Sequence, residues 1–211
     1  MAGRFEVSCG NYMKTEEAHV QSVSQLHRAE YEAEPAVIVS APGVIRLLGE
    51  HTVGNAGMVL SFPFDRRVSI AVSPRRDSSI RFYASDLNER KRTNLANLKF
   101  KREDRWANFI KAAVASCAEA GHASRGLNVT LCGDIPQGLG LGSATALRCA
   151  ATIAVALGTD WQATSEEVLG SLVDSDGNYF NRPGFPALYA STLSATAGHM
   201  TFVDAKDNSS A

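Results

Sequence analysis

A glycine-rich turn set between a strand and an alanine-rich helix constrains this chain more than any other feature. Gly126-Leu127-Asn128-Val129-Thr130-Leu131-Cys132 alternates as a strand does, and Gly133-Asp134-Ile135-Pro136 closes it. Gln137-Gly138-Leu139-Gly140-Leu141-Gly142 then opens a helix predicted from Ser143 to about Leu157. Glycines at alternate positions let the backbone approach a ligand closely, and the unpaired N–H groups at the start of a helix attract anions, phosphate first among them. The alternative is tight packing of a helix on a sheet. No Gly-Lys-Ser/Thr occurs, so this is not a Walker A loop, and the glycine spacing with no suitably placed acidic residue also excludes a dinucleotide fingerprint.

The chain has 211 residues, of which 45% are hydrophobic, enough to fill a core. A net charge of −1 with 20% charged residues gives no global footprint for nucleic acid or an anionic membrane. Locally the balance differs: between Arg75 and Arg105 ten Lys/Arg stand against five Asp/Glu, a surplus suited to steering an anion such as a nucleotide or simply to a solvated hairpin-and-helix surface. Cys9, Cys117, Cys132 and Cys149 lack metal-site or disulfide spacing and read as reduced thiols. The polar N-terminus has no apolar signal region and no window is long enough for a membrane span, so a soluble, cytoplasmic protein is expected.

Apolar spacing predicts an amphipathic helix over 12–33, ending before Glu34-Pro35. Short strands are expected at Ala36–Ser40, Val44–Leu48, Val59–Pro63, Val68–Val72 and Ser78–Tyr83, the first two separated by a break at Pro42-Gly43. Helices are expected from Trp106 toward Gly121 and near Thr164–Val173, the latter capped by Thr164 or Ser165 with Glu166 and Glu167 in its first turn. The fold class is therefore α+β: a mixed or antiparallel sheet covered on one face by the helices at Trp106, Ser143 and Thr164, with Lys206–Ala211 a frayed tail.

Two motifs carry a family resemblance. Ala41-Pro42-Gly43-Val44-Ile45-Arg46-Leu47-Leu48-Gly49-Glu50-His51-Thr52-Val53-Gly54-Asn55 resembles the galactokinase signature A-P-G-R-V-N-L-I-G-E-H-T-D-Y-N, and Pro136–Leu147 resembles the second motif of GHMP kinases, P-x-G-x-G-L-S-S-S-A-S-L. Gly198-His199-Met200-Thr201-Phe202-Val203-Asp204 is similar to the strand that follows the family's catalytic Asp. The resemblance implies the GHMP-kinase N-terminal domain fold (ribosomal protein S5 domain 2-like), ATP and Mg²⁺ as cofactors, and phosphorylation of a hexose, galactose in the nearest family.

Carried over position by position, the resemblance assigns Gly138, Gly140, Leu141, Gly142, Ser143 and Ala144 to the nucleotide phosphates, Ser143 to Mg²⁺, and Glu50 and His51 to sugar hydroxyls. The departures fall on the chemistry. The signature's Arg is Val44, its Asp is Val53 and its Tyr is Gly54. The catalytic Asp aligns with Ala187 or Leu188. Arg46, two residues after Val44, is the candidate substitute, because strand positions two apart share a face. Loss of a carboxylate from the sugar site removes roughly 1.5–3 kcal/mol of hydrogen bonding. Hexose phosphorylation is thus expected to be impaired or lost, and the alternative is a non-catalytic relative that binds nucleotide, sugar or protein.

The expected organisation is a helical extension over 1–34, the galactokinase-like domain over 35–205 and the tail, with the family's C-terminal domain missing. An apolar face left bare by that absence favours self-association or a partner chain.

Overall fold

The computed structural model describes residues 13–52, 55, 57–122, 125–206 and 209–210. Its organising element is β2 (Met58–Pro74), a strand of 17 residues. β1 (Val37–Leu48) runs antiparallel along one edge of β2 for its whole length. The other edge is shared. Val68–Pro74 pairs with β5 (Leu127–Gly133), and Met58–Ser61 pairs with β6 (Thr201–Asp204), both antiparallel. β3 (Ser79–Ala84) lies parallel to β5 and antiparallel to β4 (Glu89–Asn94), which forms the sheet edge. β7 (Ser209–Ser210) pairs with β6, so the end of the expected frayed tail is hydrogen-bonded to the sheet.

The two expected breaks are bulges rather than turns. Pro42 faces Arg67 and Val44 faces Pro63, so Gly43 alone lies opposite Phe64, Asp65 and Arg66. Extra residues on one strand kink it without ending it. Pro63, which has no N–H to give a second neighbour, lies between the stretches of β2 that pair with β6 and β5. One strand therefore replaces the two expected at Val59–Pro63 and Val68–Val72.

Helices cover both faces of the sheet, not one. Val68, Ile70 and Val72 of β2 join Ile80, Phe82, Leu127 and Val129 in the main core, against α2 (Ala107–Glu119) and α3 (Ser143–Gly158). The alternate positions Ser69, Ala71 and Ser73 are also buried, beneath α1 (Met13–Tyr31) on the opposite face. There the fully buried His27 bridges Thr130 Oγ1 and Ser73 Oγ, each at 2.9 Å. α4 (Ser165–Asn178) packs on helices instead of on the sheet. Its N-terminus is a capping box, with the Glu167 N–H donating to Thr164 Oγ1 and the Thr164 N–H donating to Glu167 Oε2. α5 (Pro186–Leu193), absent from the sequence reading, starts with the proline that a helix tolerates in its first turn.

A buried ionic cluster ties α3, α4 and α5 together. Arg148, 2% exposed, donates to Asp176 Oδ1 at 2.5 Å, to Ser175 Oγ and to the Leu172 carbonyl. Asp176 also accepts from Tyr189 Oη at 2.6 Å and from Arg182 Nε at 2.7 Å. The Arg148 guanidinium lies 4.9 Å from the Phe180 ring centroid and 4.8 Å from that of Tyr189. Burial lowers the Arg148 pKa and Asp176 opposes that shift.

Two predictions follow from these buried groups. Asp176→Asn leaves Arg148 buried without a counter-charge and is expected to cost about 3–5 kcal/mol in urea unfolding, whereas Arg182→Gln, at a half-exposed ion pair, costs below about 1 kcal/mol; equal losses would contradict this division. For His27, burial outweighs the nearby Glu34 charge and lowers the folded pKa from 6.5 to about 4. The neutral ring's contribution is present above pH 6.5 and is lost as pH falls toward 4, by roughly 3 kcal/mol in total. Chemical denaturation across that window should show the slope in the native chain and its absence in His27→Gln; parallel profiles would refute the assignment.

Candidate nucleotide and sugar site

The bulge in β1 and the glycine loop meet. A Cβ on Gly43 would collide with the Phe64 ring and lie 3.1 Å from the Leu141 carbonyl oxygen, and one on Gly142 would lie 3.3 Å from the Val44 carbonyl oxygen. Small residues at both positions bring the two motifs, about 100 residues apart in sequence, into backbone contact. Val44 itself is buried at this junction, 1% exposed. An apolar side chain thus fills the place of the signature's Arg.

Gly138, Gly140 and Gly142 have φ of 77°, 73° and 74°, a left-handed conformation that side chains with a Cβ adopt only under strain. No atom lies within 4 Å of where a Cβ would stand on Gly138 or Gly140, so open space lies beside the loop backbone at both positions. Gly142 caps α3, and the first helical bond runs from the Ala146 N–H to the Gly142 carbonyl at 2.8 Å. The N–H groups of Ser143, Ala144 and Thr145 therefore have no partner within the helix. The first turn of α3 carries no acidic residue to compete with an anion.

Beside Ser143 and Ala144 lies a cavity of about 290 Å³, walled by Val68, Trp106, Phe109, Leu131 and Leu147, with Asp86 and Arg105 also contributing. The Trp106 indole N–H donates to Glu89 Oε2 at 2.9 Å and its ring meets Phe82 edge-on, which fixes the wall. Hydrogen bonds from Trp106 and then Arg105 hold the Glu89 carboxyl below its ordinary range. The sequence reading did not assign these lining residues to the site. Trp106 and Phe109, close neighbours in the Trp106-Ala107-Asn108-Phe109 stretch, were the available signal.

The turn Gly49–Thr52 is closed by the Thr52 N–H and hydroxyl, both donating to the Gly49 carbonyl. Glu50 and His51 are exposed on it. Arg46, whose side chain is 11% exposed, is committed to Glu50: its Nε donates to Oε2 and its Nη2 approaches Oε1 at 3.4 Å. One Arg46 nitrogen, Nη1, is buried without a protein partner among the described residues. The candidate catalytic substitute and a candidate sugar contact therefore neutralise one another. Val53 and Gly54 lie outside the described residues.

Ala187 is packed between Val59, Ala190 and Val203, 1% exposed, and Leu188 is half-buried beside it on α5. Neither supplies a proton acceptor. Among the described residues no three His, Cys, Asp or Glu side chains gather as a metal site, and of the proposed metal ligands only the Ser143 hydroxyl stands at the phosphate loop. Among the described residues no helix is long and apolar enough to cross a membrane.

Comparison with known proteins agrees with this geometry. Residues 25–74 match the galactokinase galactose-binding signature and residues 108–184 match the GHMP kinases N terminal domain. A "Putative galactokinase" of Treponema pallidum is 38% identical over 156 residues, which are 74% of this chain and 39% of that protein. A galactokinase of Streptomyces coelicolor is 31% identical over 198 residues, 90% of this chain and 50% of the relative. The chain thus spans half or less of these curated relatives. In structure, Lactococcus lactis galactokinase complexed with galactose superposes with a TM-score of 0.79 at 17% identity, over 91% of this chain and 50% of that one, a likeness of fold. The chain thus combines the galactokinase galactose-binding signature with a GHMP kinase N-terminal domain, and is galactokinase-like over these residues.

Proposed function

We propose that this chain binds the phosphates of ATP at Gly138–Ala144 and that hexose phosphorylation, the activity named for its relatives, is impaired or lost in it. The observation that carries the reading is the open, left-handed glycine loop at the start of α3, next to an apolar cavity of about 290 Å³. A helix N-terminus without acidic neighbours suits a polyphosphate, and an apolar cavity walled by an indole suits a planar base. The chain's own residues fit the nucleotide better than they fit Mg²⁺. Mg²⁺ favours carboxylates and phosphate oxygens, and here the loop itself offers only the Ser143 hydroxyl, with the Asp86 carboxylate elsewhere on the cavity wall. When bound, ATP would supply the transferable phosphoryl group.

Three features argue against efficient transfer. Val44 brings no positive charge to the loop, Ala187 and Leu188 offer no acceptor for a hydroxyl proton, and Glu50 is engaged by Arg46. Loss of acid–base assistance alone is typically worth about 10²–10⁴-fold in rate. Cytoplasmic residence, and self-association or a partner chain, belong to the same reading. The exposed Leu48, Met58, Met200 and Phe202 support the second of these, as an apolar surface at the end of the sheet.

Titration with ATP, with and without Mg²⁺, tests the proposal. ATP is expected to raise the melting temperature, and Gly140→Val, which forces a β-branched side chain onto backbone at φ 73°, is expected to abolish that rise. Hexose-dependent ADP release should stay at background. No thermal shift with ATP would overturn nucleotide binding, and robust turnover with galactose would overturn the loss of transfer.

A further inference from the structure

The basic surplus of residues 75–105 is not spent on the glycine loop. Two of its acidic residues are taken within the segment, Asp77 by Arg75 and Glu89 by Arg105, while Asp104 pairs with Lys111 of α2 and has Lys91 nearby. Arg90 is held outside it, by Glu30 of α1, through two hydrogen bonds of 2.8 and 2.7 Å. Of the bases left over, Arg76, Arg81, Arg92, Lys99, Lys101 and Arg102, two stand directly together, Arg81 and Arg92. Neither meets an acidic side chain among the described residues, and both are exposed.

Their placement is unfavourable on its own. Arg81 of β3 and Arg92 of β4 are direct cross-strand partners, so their side chains share one face of the sheet. Like charges directly opposite each other destabilise an antiparallel pair. They share the floor of a cleft of about 460 Å³, with Glu30 and Tyr31 of α1 also lining it. Tyr31 is held by its hydroxyl, which donates to the Val129 carbonyl at 3.2 Å, and the Glu30 charge is already neutralised by Arg90. This leaves two positive charges in a cleft within the size range of small-ligand sites, about 300–1,000 Å³.

The geometry points to a second anion site here, for a phosphorylated small molecule whose phosphate oxygens are gripped by Arg81 and Arg92. Guanidinium groups present paired N–H donors that match phosphate oxygens, and a dianionic group removes the repulsion between the two arginines. The cleft faces α1, whereas the glycine loop leads into α3 on the other face of the sheet. A ligand in it would not be a phosphoryl donor or acceptor at that loop, and the assignment stands independently of the nucleotide reading.

Calorimetric titration of inorganic pyrophosphate into the full chain, at low ionic strength without Mg²⁺, tests this. The double variant Arg81→Gln/Arg92→Gln is expected to weaken binding about tenfold or more, with a melting temperature equal to or above that of the native chain because the repulsion is gone. Arg76→Gln/Arg102→Gln, which removes the same charge at exposed positions elsewhere, is expected to leave the affinity within about threefold, and the loss in Arg81→Gln/Arg92→Gln is expected to persist when the glycine loop is blocked by Gly140→Val. The proposal is overturned if the native chain does not bind pyrophosphate, if Arg76→Gln/Arg102→Gln weakens it equally, or if only Gly140→Val does. Binding of an octaglutamate peptide as tight as that of pyrophosphate would overturn the assignment to a phosphorylated small molecule.

Discussion

Everything in this fold hangs on the pairing of β2. Along one edge it holds β1, and along the other it holds β5 at one end and β6 at the other. The segment from Val68 to Ser73 is buried on both faces, so α1 and the α2–α3 layer use opposite sides of the same backbone. The bulge opposite Gly43 is part of this arrangement. It turns β1 toward Leu141 and Gly142, so the backbone of one motif supports the backbone of the other.

Where the sequence was legible, local chemistry and tertiary placement agreed. Val68, Ile70 and Val72 alternate as core-facing strand residues should, and Thr164 with Glu167 forms the helix start that their spacing implied. The intervening Ser69 and Ser73 are polar. They are buried because α1 covers them and His27 satisfies Ser73, a pairing across 46 residues that no local pattern reveals. β4, with the sequence Glu-Arg-Lys-Arg-Thr-Asn, has no apolar period, since an edge strand needs none. α5 was hidden because Pro183, Gly184 and Pro186 read as loop, although the last of these opens the helix.

The site divides the same way. The glycine loop was readable because only glycine accepts its backbone angles without strain, so composition and conformation are tied at Gly138, Gly140 and Gly142. The adjoining cavity draws its walls from β2, α2, β5 and α3, and its lining is set by packing across those elements. Arg46 and Glu50 were each read singly, one toward catalysis and one toward sugar. Their ion pair arises from the turn after β1, which folds Glu50 back onto the strand.

The packing around Ala187 bears on what that position can hold. Its methyl group is enclosed by Val59, Ala190 and Val203, none of which carries a side-chain donor for a carboxylate. An Asp placed there by a single substitution would enter an apolar interior, where burial favours the protonated form and the uncompensated charge costs several kcal/mol. A carboxylate at this position would therefore require neighbouring substitutions that open or polarise the cluster first, and each of those would weaken the contact between α5 and the β2–β6 pair. The residue at position 187 is thus fixed by the packing it completes, and a charged replacement is opposed by the stability of its surroundings.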